Sequence, residues 1–278
     1  MGDPHQFRQV DVFGSGPLTG NPVAVVHDAD DLDDDRMQLF AQWTNLSETT
    51  FLLRPTDPAA DYRLRIFTAS RELPFAGHPT LGSAHAWLEA GGIARGEHIV
   101  QECAAGLVTL QRDDRLEFEA PSLLRDGPVD EGDLITVTEI LGISRTDVVD
   151  AKWVDNGPGW VGVLLDDAHD VLELEPDRSK LDGWDIGVVG PWRDGAADHP
   201  GDADAEVRAF DSSTEDPVTG SLNASLGQWL AGTVLPEQYV AAQGTAIGRR
   251  GRVHVRREGN TVWVGGDTRT TLRGEALL

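Results

Sequence analysis

A mixed α+β fold built as two similar lobes is what this 278-residue sequence predicts, and three observations carry that prediction. Strand and helix patterns follow one another in a similar order before and after a candidate connecting stretch. A thirteen-residue segment recurs without a gap 143 positions later. Between the two copies lies Ala120–Gly132, rich in Pro, Gly and Asp, which suits a connection. The lobes are expected over residues 1–122 and 130–267, with 123–129 as the linker.

The elements follow in order. Val10-Asp-Val-Phe13 alternates apolar and polar residues as a half-buried strand does. Gly14–Pro22 reads as a loop and Val23-Ala-Val-Val26 as a short buried strand. Asp33–Thr44 reads as a helix, with acids at its start, where the helix dipole favours them. Met37, Phe40, Ala41 and Thr44 share one of its faces. Glu48–Leu53 has strand composition, and Tyr62–Phe67, Leu107–Arg112 and Arg115–Glu119 are further strands. Small and apolar residues from Gly77 to Trp87 predict a buried helix. Beyond the linker a helix is expected near Thr138–Leu141, then strands at Trp160–Leu165 and Ile186–Val189. A strand at Val207–Phe210 leads into another helix. Arg252–Arg256 and Thr261–Gly265 form a hairpin pattern around Glu258-Gly-Asn260.

The repeat pairs Arg65–Gly77 with Arg208–Gly220, and Arg, Phe, Ser, Glu, Pro and Gly coincide in six of the thirteen positions. A looser echo pairs Val23-Ala-Val25 with Val161-Gly-Val163. Internal duplication accounts for both and predicts two lobes about a pseudo-twofold axis. In each copy a strand ends, a loop follows and a glycine opens a helix, whose unpaired N–H groups and positive dipole end suit an anion. Two such helix ends facing one another across a lobe interface would cradle a small anionic ligand. His78 and Ser221 occupy matching positions, each directly after its glycine.

Charge narrows the partners. The chain carries 23 basic and 47 acidic residues, a net charge of −24, and apart from Lys152 and Lys180 its bases are all arginines. Acid runs such as Asp28–Asp35 and Asp166-Asp167 lie dispersed between core segments. They read as a strongly solvated acidic surface of the kind adapted to high salt. Such a surface disfavours nucleic acid and anionic membranes as partners. Cys103, the single cysteine, permits neither an internal disulfide nor a thiolate metal cluster. No basic-then-apolar leader and no run of 18 apolar residues is found, so a soluble, cytoplasmic protein is expected.

Several residue patterns carry candidate chemistry. Gly14-Ser-Gly-Pro-Leu-Thr-Gly20 has one residue too many for a dinucleotide fingerprint, and no helix follows it, so it reads as a loop. The histidines are scattered, and no metal site is expected. Ser221 with His78 and Asp216 invites a hydrolase reading, yet Ser221 lacks the G-x-S-x-G elbow and suits plain helix capping as well. Taken alone, Glu48 is a solvated strand-edge acid, His78 a turn histidine and Asp216 the cap of the helix that follows. The duplicated frame strengthens the functional reading by placing His78, Asp216 and Ser221 around one cleft.

These residues fall into motifs that resemble the PhzF-like (phenazine biosynthesis) family. The motifs are Val10-Asp-Val-Phe with Gly20-Asn-Pro, Asn45-Leu-Ser-Glu-Thr-Thr-Phe51, Phe75-Ala-Gly-His-Pro-Thr80 and Glu215-Asp-Pro-Val-Thr-Gly-Ser221. Gln243-Gly and Arg249-Arg-Gly-Arg-Val-His-Val255 follow in family order. The resemblance implies the diaminopimelate-epimerase-like fold, in which each lobe is a barrel-like, mainly antiparallel sheet around a central helix. Segment 268–278 is expected to complete the first lobe. In the related epimerase a cysteine pair moves the proton. Cys103 is alone and outside both helix starts, and the family's glutamate matches Glu48. Ser47, Gly77, His78, Asp216, Thr219, Gly220 and Ser221 match substrate-binding positions. The implied activity is isomerisation of a small carboxylated metabolite without metal or cofactor, similar to that of trans-2,3-dihydro-3-hydroxyanthranilate isomerase, in a homodimer. An amino- or hydroxy-acid epimerase or racemase, and a non-catalytic binder of small anions, stay open as alternatives.

The acidic surface generates a first prediction. Screening relieves self-repulsion, so the denaturation midpoint is expected to rise from low to molar salt. A fall over that range contradicts adaptation to high salt.

Overall fold

The computed structural model describes residues 3–193, 195–196, 199–211 and 215–278. Its contacts sort into two units, Met1–Glu119 with Gly265–Leu278, and Ala120–Val264. No helix among the described residues is long and apolar enough to cross a membrane.

The first unit runs β1 (Pro4–Val12), β2 (Asn21–Val26), α1 (Asp34–Thr44), β3 (Glu48–Leu53), β4 (Tyr62–Phe67), β5 (Glu72–Leu73), α2 (Gly77–Glu89), β6 (Ile99–Cys103), β7 (Gly106–Arg112) and β8 (Leu116–Glu119). β1 pairs antiparallel with β2, β2 parallel with β3, β3 antiparallel with β4, β4 parallel with β6, and β6 antiparallel with β7. The apolar faces of these strands close on α2, whose residues from Gly77 to Ala84 are all buried. Gly82 makes the close fit possible, because a Cβ there would sit 2.4 Å from Val23 Cγ1. The two turns of small residues read from the sequence are thus the part of the helix that touches strands.

The second unit runs β9 (Arg125–Pro128), α3 (Glu131–Leu141), β10 (Val148–Asp155), β11 (Trp160–Leu165), α4 (Ala168–Leu172), β12 (Asp185–Pro191), β13 (Ala205–Phe210), β14 (Glu215–Asp216), α5 (Gly220–Leu230), β15 (Gln238–Gln243), β16 (Gly251–Glu258) and β17 (Thr261–Gly266). From β10 the pairings repeat the first unit's sequence: antiparallel to β11, parallel to β12, antiparallel to β13, parallel to β15, antiparallel to β16. α5 is as buried as α2, and a Cβ on Gly187 would lie 2.3 Å from Leu222. The chain then returns to the first unit as β18 (Thr268–Leu277), antiparallel to β1.

Two expectations change here. Residues 125–128, inside the stretch read as linker, form β9 along β10, with the Arg125 guanidinium 3.2 Å from the centroid of the Trp153 ring. A cation over an aromatic face holds a segment whose composition reads as loose. The helix expected near Thr138 begins a full two turns earlier, at Glu131. Asp130 caps it by accepting the Asp133 N–H, a start signal hidden among the acids of the loop reading.

The repeated residues turn out to be a repeated clamp. Arg65 grips Glu72 with two hydrogen bonds, Nε–Oε1 and Nη2–Oε2, both 2.7 Å. Arg208 grips Glu215 in the same way at 2.9 and 2.8 Å. Each guanidinium also lies over the repeat's phenylalanine, 5.0 Å from the centroid of Phe67 and 4.9 Å from that of Phe210. Ser213, which matches Ser70, lies outside the described residues.

The two clamps differ in burial, which sets a prediction. Glu215 is 2 % exposed and Glu72 36 %. Arg208→Met removes the two-bond partner of a buried carboxylate, leaving the largely solvated Arg178 3.6 Å away. The expected loss is about 3–5 kcal/mol in chemical denaturation. Arg65→Met is expected to cost under about 1 kcal/mol. Equal losses would contradict this assignment.

Candidate active site

Glu48 owes its place to the end of α1. Asn45 takes the left-handed conformation at the helix C-cap, φ 52°, and turns the chain so that Glu48 opens β3 three residues later. Thr44 and Thr49 share a 2.7 Å hydroxyl hydrogen bond across that turn. β3 lies between β2 and β4, with Glu48 in register with Val23. Its side chain is 14 % exposed. The solvated strand-edge reading of Glu48 is therefore corrected: the carboxylate is largely shielded from water. Ser47, one residue earlier, is exposed.

His78, the second residue of α2, is 3 % exposed, and its Nε2 lies 3.2 Å from Glu48 Oε2. That is ion-pair distance, although the atoms are off the line of a well-aligned ring N–H bond. On the other side of the ring, Asn21 Nδ2 is 3.3 Å from Nδ1. Burial pushes the imidazole down to about 3, so His78 is neutral beside the carboxylate. Asn21 opens β2 and is fully buried.

The start of α2 is open. Its N-cap, Ala76, offers no side-chain acceptor, and Pro79 has no N–H. The N-cap residue therefore caps none of the first-turn N–H groups. The helix is instead anchored one turn further on. Ser83 shares a 2.9 Å hydrogen bond with Thr50, and Gln101 donates to Thr80 at 3.1 Å. All four side chains are fully buried.

The second unit gathers its own set. Thr219, not Asp216, holds the N-cap position of α5, and its hydroxyl donates to Asp216 Oδ2 at 2.6 Å. Asp216 therefore acts on the cap residue and is not itself the cap. Gln243 accepts from the Thr219 N–H at 3.0 Å and from Asn223 at 2.8 Å, and donates to the Thr219 hydroxyl at 2.9 Å. Gly220 and Ser221 follow as the first two helical residues, both buried. Ser221 Oγ accepts the Trp160 indole N–H at 3.3 Å.

Within the first unit, then, Glu48 and His78 come together, and within the second, Asp216, Thr219 and Ser221 cluster at one helix start. Asn21, Trp160 and Gln101 were not singled out by the sequence reading. The Gly-Asn-Pro motif and the Val-rich echo are the nearest signals for the first two; nothing marks Gln101. The Gly14–Gly20 loop leads into a strand, and the Thr19 and Gly20 N–H groups bond the Asp11 carboxylate. Burial raises the Cys103 thiol's pKa, which keeps it protonated.

Compared with known proteins, the chain matches the profile of the phenazine biosynthesis-like proteins over residues 10–278. It is 37% identical over 303 aligned residues to antisense-enhancing sequence 1 of Schizosaccharomyces pombe, with 99% of each chain covered. It is 35% identical over 292 residues to trans-2,3-dihydro-3-hydroxyanthranilate isomerase of Pseudomonas aeruginosa, covering 99% of this chain and 100% of that one. A solved phenazine biosynthesis protein of the PhzF family from Enterococcus faecalis superposes with a TM-score of 0.80 at 24% identity, over 99% of this chain and 100% of that one. At that identity the likeness is one of fold.

The depressed His78 predicts a pH effect of known sign. Its folded pKa, about 3, lies below the ordinary 6.5, so protons bind the unfolded chain in preference. His78 therefore lowers stability as pH falls from about 6.5 towards 3 and has no such effect above 6.5. His78→Gln is expected to flatten the denaturation-midpoint profile in that window by up to one proton's slope. A variant profile parallel to wild type would show that His78 binds its proton equally well in the folded and the unfolded chain, and would contradict the depressed pKa.

Proposed function

The chain belongs to the phenazine biosynthesis-like family, and since its named relatives include isomerases, we propose that it isomerises a small carboxylated metabolite with Glu48 as the proton carrier. Glu48 takes a proton from one carbon, the released C–H electron pair shifts through adjoining double bonds, and the same carboxyl returns a proton to a second carbon. Electrons balance without an oxidant or reductant, so the product is an isomer. One carboxylate serving two carbons requires both to lie on one face of the substrate.

The observation that carries this reading is the neutral, buried imidazole 3.2 Å from a largely shielded carboxylate. An imidazolium there would hold Glu48 ionised and hinder its turn as an acid. A neutral neighbour orients the carboxyl without locking it in either state. The N-terminus of α2, whose N-cap Ala76 offers no side-chain acceptor, suits a substrate carboxylate. Ser47, Asp216, Thr219, Gly220 and Ser221 are proposed as further substrate-binding residues on their match to the family's motifs. The reaction class follows the relatives; the substrate is taken to resemble trans-2,3-dihydro-3-hydroxyanthranilate, the compound named for one of them.

The test is incubation of that compound and a panel of unsaturated amino and hydroxy acids in D₂O, following carbon-bound deuterium by NMR. Wild type is expected to exchange, and Glu48→Gln to exchange about 10²–10⁴-fold more slowly. Equal rates would remove Glu48 from the mechanism. Inversion at one carbon without a double-bond shift would mark an epimerase, and no exchange across the panel a binding protein.

A further inference from the structure

In each unit a hydrogen-bond donor stands behind the second residue of the buried helix. Asn21 sets its amide nitrogen 3.3 Å from His78 Nδ1. An N–H₂ group needs a lone pair to donate to, so Nδ1 is the bare ring nitrogen and Nε2 carries the hydrogen. Nε2 is buried and makes no well-aligned hydrogen bond. In the second unit Trp160 sends its indole N–H to Ser221 Oγ at 3.3 Å, and Asn156 donates to the Ser221 carbonyl at 2.9 Å. Indole nitrogen is a donor only, so Ser221 accepts on that side and its own hydroxyl hydrogen turns elsewhere.

The arrangement recurs at corresponding strands, though one residue out of step with their Val echo. Asn21 opens β2 and Trp160 opens β11, the two strands that carry the Val-Ala-Val and Val-Gly-Val echo. Each of these strands pairs in parallel with the strand after it. Both donors are buried, Asn21 fully and Trp160 to 4 % exposure, so neither exchanges its hydrogen bond readily with water. A ring flip or tautomer change of His78 would set a hydrogen against the Asn21 amide hydrogens. A reversed Ser221 hydroxyl would do the same against the indole.

We propose that Asn21 and Trp160 are positioning residues that lock His78 and Ser221 as hydrogen-bond donors. Each helix start then takes an oxygen acceptor, such as a carboxylate or hydroxyl oxygen, and rejects a cationic amine at that point. The ligand class rests on the isomerase reading given above; the locked donor state of the two side chains does not. His78 thereby offers Nε2–H while Glu48 alone moves the proton. Asn21 touches neither the proton nor the reacting carbons, and acts through the ring.

Long-range ¹H–¹⁵N spectra of ¹⁵N-histidine-labelled protein at neutral pH test this directly. The His78 ring is expected to show a protonated Nε2 and a bare Nδ1. Asn21→Asp, which exchanges a donor for an acceptor, is expected to put a hydrogen on Nδ1 and to slow carbon-bound deuterium uptake ~10- to 100-fold, as loss of an outer orienting partner does. Trp160→Phe keeps an aromatic ring and removes the donor, and is expected to raise KM by ~10-fold with little change in kcat. A hydrogen on Nδ1 in wild type, or a bare Nδ1 in Asn21→Asp, overturns the proposal even if no substrate is found. If Asn21→Asp does not fold, the wild-type spectrum decides by itself. Altered spectra with unaltered KM in Trp160→Phe would confine the effect to the first unit and overturn the Ser221 half.

Discussion

Arg65 and Glu72, and again Arg208 and Glu215, meet through two parallel hydrogen bonds between a guanidinium and a carboxylate. The pair ties a long strand to a two-residue strand that pairs with it, Phe67 opposite Glu72 and Phe210 opposite Glu215. Five residues past each glutamate comes the glycine that opens the buried helix. Because the bidentate geometry tolerates little rotation, the chain enters each helix from a set direction. The side chains at the helix start inherit that direction. In the second unit the arginine also bonds the carbonyls of Leu174 and Val171, so the clamp is satisfied on every side and can be buried. In the first it reaches Asp34 at the start of α1 and stays near solvent.

A helix buried along most of its length must settle its polar groups with protein partners. α2 and α5 do so with short polar side chains placed one turn in: Thr80 and Ser83 in the first, Asn223 in the second. The strand glutamine that meets them comes from a different register in each unit. Gln101 stands opposite Tyr62, whereas Gln243 stands opposite Val207. The duplicated halves have kept the requirement and changed the residue that meets it. The N-cap position of α2 itself supplies no side-chain cap, since it is Ala76. That is also where the neutral imidazole meets Glu48.

The local patterns of the candidate site are legible in the sequence. The Gly-His and Gly-Ser steps, their position after a strand and a loop, and the motif around Glu48 are all local patterns in the chain. Asn21 and Trp160 were harder, because they are separated from their partners by 57 and 61 residues. A hydrogen bond between such distant positions leaves no periodicity in the sequence. Glu48 shows the same limit from the other side: a glutamate at the head of a strand reads as solvated until distant residues such as His78 are packed against it. The capping of α3 by Asp130 was masked for a different reason, since one acid among many gives no contrast.

The sequence by itself did not mark β6, β10 or β15, but it marked α1, α2, many of the strands, the internal repeat and the residues that open each buried helix. These depend on alternation, small side chains and glycine positions, which act over a few neighbours. Tertiary structure alone decided that the repeated Arg and Glu form a clamp, that 125–128 adds a strand, and that His78 is neutral beside Glu48. Each of those outcomes depends on which distant groups approach and how much water they displace. An imidazole's charge is set by its desolvation, and desolvation is a property of the packed chain, not of the residues next to His78 in sequence.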